Sequence, residues 1–280
     1  MDLITVEGST IRVVRTLTED EHALYISAAR VLGDAERSFY AMAMVDRNQE
    51  EFFTQLDKST AEYLRDSLEA RSLNRYAFRA NWQLINYLAS MRFFLDYTET
   101  RVKRRFGKSS AQSEKFKRAC SSAFDSKFAY RFLYKLRNYA QHCGLPAGPV
   151  DVRGQPSPEG KPFEIELTVY FDPIQLLKEY RDWGLVKQDL QRMSAPFSVS
   201  PLIREITTRL HKIHVLTVAF DLPELKKAGR QVLQVINDAL GTAGVPALGQ
   251  MITDGPEGEG FEIFWPPLRM LQHLNLLKYE

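Results

Sequence analysis

The chain has 280 residues, 44% of them hydrophobic, and a formal net charge of only +2. That is enough apolar sequence to bury one large core or two small ones. No run of eighteen apolar residues occurs, and the N-terminus lacks a signal-peptide pattern. Cys120 and Cys143 are too few for a disulfide scaffold or a cysteine zinc site. A cytoplasmic protein with two structural thiols, no membrane partner and no resident metal or cofactor is therefore expected.

In chain order, Leu3–Val14 reads as a β-hairpin, with Ile4, Val6, Ile11, Val13 and Val14 flanking a Gly8-Ser9 turn. Thr18, followed by Glu19 and Glu21, marks a helix start. Helical patterning then runs to about Phe106, with breaks expected near Gly33-Asp34 and Ser72. Its third segment places Trp82, Leu84, Tyr87, Leu88, Met91, Phe94 and Leu95 at core spacing. A loop around Gly107–Ser113 leads into one helix expected over 114–143. Four helices with short connections predict an antiparallel bundle.

Prolines 149, 156, 158 and 162 mark a linker over 149–162. Phe163–Phe171 alternates like a strand, and Asp172-Pro173 opens another helix. Helical patterns recur at about 185–193, 199–219 and 222–240. An acidic, turn-rich stretch, 254–260, precedes a short strand, Phe261–Trp265, and an amphipathic segment, Leu268–Leu277. The three strand candidates are expected to share one small sheet. The fold class is thus mainly α (α+β): a hairpin (1–17), a helical bundle (18–148), the linker (149–162) and an α+β C-terminal region (163–280).

Charge is unevenly spread. Residues 101–140 hold twelve Lys or Arg against two acids, Glu114 and Asp125, so the rest of the chain is net acidic. Such a concentration is the footprint of a polyanion site. Phe106, Phe116, Phe124, Phe128, Tyr130 and Tyr134 lie among these cations as rings able to stack on unpaired bases.

Within this segment Tyr130–His142 is strongly amphipathic and closes on an Arg137-Asn138-x-x-x-His142 box. On a helical wheel Lys127, Tyr130, Arg131, Tyr134, Lys135, Arg137, Asn138 and Gln141 fill one polar arc with His142. Asn138 falls only about 40° from the histidine. Gly144 and Pro146 then terminate the helix. Histidine moves protons near neutral pH and arginine holds phosphate and its developing charge. The spacing alone is weak, because Arg209–His214 repeats it with Leu210 after the arginine, in an ordinary amphipathic helix. There is no phosphate-binding glycine loop, dinucleotide fingerprint or HExxH zinc motif. His211 and His214 lack the companions a metal site needs, and His22 and His273 read as surface or packing residues.

The box resembles the R-x4-6-H signature of the HEPN family of ribonucleases, in which a polar residue often follows the arginine. The resemblance covers about 19–146 and implies a HEPN-type bundle. It also implies a metal-independent RNA endonuclease, with Arg137, Asn138 and His142 catalytic. Lys103, Arg104, Arg105, Lys127, Arg131, Tyr134, Lys135 and Gln141 would bind RNA. A homodimer is implied, as is a role in a toxin–antitoxin or antiphage system with an antitoxin or other defence partner. Some family toxins carry a modifiable tyrosine two residues after the histidine; Gly144 stands there instead. The alternative is a non-catalytic HEPN-like module that binds RNA or protein.

Overall fold

A computed structural model of the protein describes residues 1–65, 70–145, 150–155, 164–255 and 258–277. In chain order come β1 (Asp2–Glu7), β2 (Thr10–Thr16), α1 (Glu19–Arg65), α2 (Ala70–Phe106), α3 (Ala111–Ser126) and α4 (Phe128–His142). Then follow β3 (Val150–Gln155), β4 (Glu164–Phe171), α5 (Pro173–Glu179), α6 (Val186–Gln191) and β5 (Phe197–Ser198). The chain continues through α7 (Ser200–Ala219), α8 (Leu222–Ile236), β6 (Val245–Gly255), β7 (Gly258–Phe264) and α9 (Leu268–His273). The described structure is mainly helical, as the periodicity predicts. Among the described residues no helix is long and apolar enough to cross a membrane.

The chain forms two compact units, Met1–Phe39 with Val218–Glu280, and Tyr40–Thr217. This division differs from the four consecutive segments read from the sequence, because the pieces of each core come from distant stretches of chain.

In the first unit the antiparallel sheet runs β2-β1-β6-β7. The hairpin forms as expected, with Gly8 at φ +59 supplying the left-handed residue of a two-residue turn. The central strand β6 was not legible in the sequence, since Pro246 and Gly249 argue against an interior strand. Gly249 is there for clearance: a Cβ would lie 2.9 Å from Ile4 Cδ1 and 3.0 Å from Phe261 Cδ1. Thr18 and Glu21 cap α1 reciprocally, through Glu21 N–H to Thr18 Oγ1 at 3.2 Å and Thr18 N–H to Glu21 at 2.9 Å. Arg15 clasps the same carboxylate and holds it at about 2, well below the ordinary value.

The break expected at Gly33-Asp34 is absent, because α1 is continuous. Glycine costs a helix about 1 kcal/mol relative to alanine. Tyr25, Ala28, Leu32 and Ala35, buried at helical spacing, offset it.

The second unit is a helical bundle with a small sheet, β3-β4-β5. β3 lies inside the segment expected to be a linker, and β4 pairs with it rather than with the terminal strands. The single sheet predicted for all strands is thus two. Residues 40–65 of α1 run antiparallel to α2, as the contacts Glu62–Arg79 and Tyr63–Tyr76 show. α7 runs antiparallel to α1, with Arg204 over the Phe53 ring and His211 on Asp46. So α7, from the C-terminal half, takes the bundle place that the first predicted helix was expected to fill.

The helix expected over 114–143 is two helices, α3 and α4, separated by Lys127 in extended conformation (φ −129, ψ 117). The bend sets Phe124 edge-on to Tyr130 and Tyr134. Leu84, Tyr87, Leu88, Met91, Phe94 and Leu95 are buried as expected, whereas Trp82 is 57% exposed beside Phe78.

Candidate nucleic-acid interface

α4 is built by its apolar stripe. Ala129, Tyr130, Phe132, Leu133, Leu136 and Tyr139 are buried, with Phe132 stacked on Trp183 at 5.8 Å and edge-on to Phe171 at 5.3 Å. That packing fixes the helix rotation and turns the opposite arc outward. Arg131, Tyr134, Lys135, Arg137 and Asn138 are half-buried on this arc, and Gln141 and His142 are exposed. The helix stops as expected: Cys143 N–H donates to the Tyr139 carbonyl at 2.8 Å, and Gly144 follows at φ +129, a region that favours glycine. Pro146 lies outside the described residues.

The three residues of the box do not form one cradle. Asn138 and His142 are separated by one helical turn and share a face. Arg137 stands about 140° round the helix from His142, and its guanidinium donates to the side-chain oxygen of Gln141. Among the described residues neither Asn138 nor His142 has a hydrogen-bond or ion-pair partner. Both are open to a ligand from outside the chain.

Several neighbouring polar groups are occupied by the fold. Arg131 donates through Nε to Asp189 at 3.1 Å and through one terminal nitrogen to the carbonyls of Phe124 (2.8 Å) and Asp125 (2.7 Å). It thereby caps α3 and ties α4 to α6. Lys127 pairs with Glu205 at 3.0 Å, and Lys103 with Glu99. The Tyr134 hydroxyl accepts from Arg92, whose guanidinium lies 4.8 Å from the ring centroid. Lys135 lies against the connection between α5 and α6, where a Cβ on Gly184 would meet its Cε at 3.5 Å. Arg104 and Arg105 are exposed at the end of α2, Arg105 over the Phe106 ring.

The rings counted as stacking surfaces are mostly internal. Phe116 and Tyr130 are each 4% exposed, and Phe128 stacks on Phe132 at 5.3 Å. Phe116, Tyr130 and Tyr134 instead line a cleft of about 320 Å³ between α2, α3 and α4. Arg92, Asp96 and Glu99 line its α2 side, and Lys117, Cys120 and Ser121 its α3 side. Burial pushes the Cys120 thiol up to about 12, so it stays protonated there.

The sequence reading missed Arg92, Asp96 and Asp189. Arg92 and Asp96, four apart on a helix, are a legible ion-pair pattern; the partnership of Arg131 with Asp189, 58 residues on, leaves no local trace. At the other end of α4, Tyr139 donates to Glu179. Burial, then this bond, raises the phenol's pKa, and the bond lowers that of the carboxyl.

Comparison with protein-family models, curated proteins and solved structures finds no match.

Proposed function

We propose that this protein is an RNA endonuclease that needs no metal, with its site on the exposed end of α4. What carries the reading is His142: an exposed histidine with no partner among the described residues, one turn from Asn138, in the most basic stretch of the chain. His142 takes the proton of a ribose 2′-OH as that oxygen attacks the adjacent phosphorus. The new 2′-O–P bond forms as the P–O5′ bond breaks, leaving a 2′,3′-cyclic phosphate. Asn138 donates a hydrogen bond to a phosphate oxygen or orients His142. Arg137, released from Gln141, binds the phosphate and its developing charge.

One chain supplies no evident acid for the leaving 5′-oxygen. A second copy, with two boxes facing across a two-fold axis, supplies both a second His142 and an arginine on the correct side. The active species is therefore a homodimer, which suits a toxin or antiphage nuclease in the cytoplasm, held in check by a partner. A second reading has its own observation. Arg137 is already engaged by Gln141 and lies far round the helix, as in a non-catalytic RNA-binding surface.

An RNase assay in excess EDTA, with wild type and His142→Ala purified alike, separates the two. The nuclease gives cyclic-phosphate ends, spares a substrate with 2′-deoxy at the cut, and loses activity on the substitution. Equal activity in both proteins removes the site. Binding without cleavage selects the second reading. Mixing His142→Ala with Arg137→Ala chains restores part of the activity if each site draws on both protomers.

A further inference from the structure

α2 has two apolar faces, where a surface helix has one. The first packs in the core through residues such as Leu84, Leu88, Met91 and Leu95. The second carries Phe78, Trp82 and Phe93, which are 59%, 57% and 47% exposed, and half-buried Tyr97. At 100° per residue these four rings and exposed Ala89 share an arc of about 100°, a stripe about 28 Å long. Along it the rings form two pairs, Phe78 with Trp82 at 6.5 Å and Phe93 with Tyr97 at 5.8 Å. Roughly half-exposed, such rings offer on the order of 300–400 Å² of apolar surface. A contiguous patch of that size marks an interaction site.

The spacing reads alike from both ends. Phe78 with Tyr97, Trp82 with Phe93, and Asn86 with Ala89 are each symmetric about one midpoint, between Tyr87 and Leu88. A two-fold contact between identical surfaces needs that property, because residue i meets j and j meets i. Two α2 helices set antiparallel on this midpoint put Trp82 against Phe93 of the second copy, and Phe78 against its Tyr97. Ala89, being small, lets the helices close at the centre to the usual 8–10 Å of packed helices. The charges favour the same sense. Arg75 and Arg79 lie toward one end of the stripe and Asp96 and Glu99 toward the other, so antiparallel pairing sets opposite signs together. Each is also neutralised within its own chain, by Glu62, Arg92 or Lys103. The contact therefore buries no lone charge at its rim.

We propose that the aromatic stripe of α2 is a homodimer interface, formed by antiparallel α2 helices about a two-fold axis beside Asn86 and Ala89. With the helix surface between the rings, the contact approaches the roughly 800 Å² per partner of a stable interface. The axis crosses α2 at right angles and so leaves both α4 helices on one side of the pair. α4 runs back along α2, with Tyr134 at Arg92 and Tyr130, through Cys120, toward Glu99. Its His142 end thus lies toward the middle of the stripe, and the two boxes share one side of the dimer. That consequence alone rests on the nuclease reading.

The test is sedimentation equilibrium of the whole protein across the micromolar range, without RNA. Wild type is a dimer there. Trp82→Glu and Phe93→Glu each put a charge in the stripe and weaken the dimer about thirtyfold or more, as loss of one hot-spot residue does. Ile174→Glu, which replaces a 75% exposed apolar residue on α5, leaves it unchanged. Circular dichroism shows all three folded as wild type. In a Cys143→Ser background, Ala89→Cys beside the axis cross-links to its counterpart on mild oxidation. Thr100→Cys, about 37 Å from its counterpart along the antiparallel pair, does not. A monomeric wild type, or a folded Trp82→Glu that dimerises as wild type does, overturns the interface. Thr100→Cys cross-linking as readily as Ala89→Cys does the same, and the cross-links decide if Trp82→Glu misfolds. A monomeric wild type that still cuts RNA removes the interface and leaves the nuclease standing. A dimer broken by Trp82→Glu with cleavage unchanged keeps the interface and removes the shared site.

Discussion

The Arg-x4-His spacing occurs at Arg137–His142 on α4 and at Arg209–His214 on α7. On α4 the histidine is the last helical residue and is exposed. On α7 it sits in mid-helix, 7% exposed, with its ring edge-on to Phe94 at 6.1 Å. One turn earlier, His211 is engaged by Asp46 at 2.8 Å. Thus α7 uses its histidines to pack and bridge bundle helices, and α4 leaves its own facing out. Spacing sets which face of a helix two residues share; what packs against that face decides whether they can meet a substrate.

The sharpest way to break this contrast is a pair of alanine substitutions. His142→Ala lowers RNA cleavage roughly 10²–10⁴-fold and leaves the melting temperature near wild type. His214→Ala does the reverse, costing about 1–3 kcal/mol through the void it opens while specific cleavage stays near wild type. The contrast collapses if His214→Ala loses activity at unchanged stability, measured by cleavage rate and urea unfolding on the same samples.

The arginines follow with a smaller effect. Arg137→Ala removes a group that stabilises charge on the phosphate and costs about 10²–10³-fold in rate. Arg209→Ala leaves the cleavage rate where it was. Equal losses for the two would mean that general positive charge, rather than the α4 box, drives cleavage.

Arg131 sharpens the difference within α4 itself. Its guanidinium holds Asp189 and two carbonyls at the end of α3, so Arg131→Ala costs about 1–3 kcal/mol in urea unfolding by leaving them unpaired. Exposed Arg104→Ala instead keeps stability and flattens the salt dependence of RNA binding by about one unit. An unfolding midpoint for Arg131→Ala equal to wild type would return that residue to the RNA-binding set.

The smallest effect is on thiol reactivity. Cys143, next to His142, is exposed, whereas Cys120 is half-buried with its thiol pushed up to about 12. Iodoacetamide at neutral pH alkylates Cys143 about tenfold or more faster, as peptide mass spectrometry would resolve. Comparable labelling of both would show that the cleft wall opens and that Cys120 is not held as described.

The sequence by itself determined whatever depends on neighbours a few residues apart. The Gly8-Ser9 hairpin, the Thr18–Glu21 cap, the amphipathic helices, the Gly144 stop and the basic run over 101–140 are all local patterns, and so is the sharing of a face by Asn138 and His142. The tertiary structure alone decided which of those pieces meet. It carried α1 unbroken through Gly33, because burial of the surrounding stripe outweighs one glycine. It brought α7 into the bundle beside α1 and α2, spent Arg131 on Asp189, and opened a cleft behind Tyr134. Each of these is a contact between residues distant in sequence. Which contacts form depends on how whole faces pack, and no local spacing encodes that.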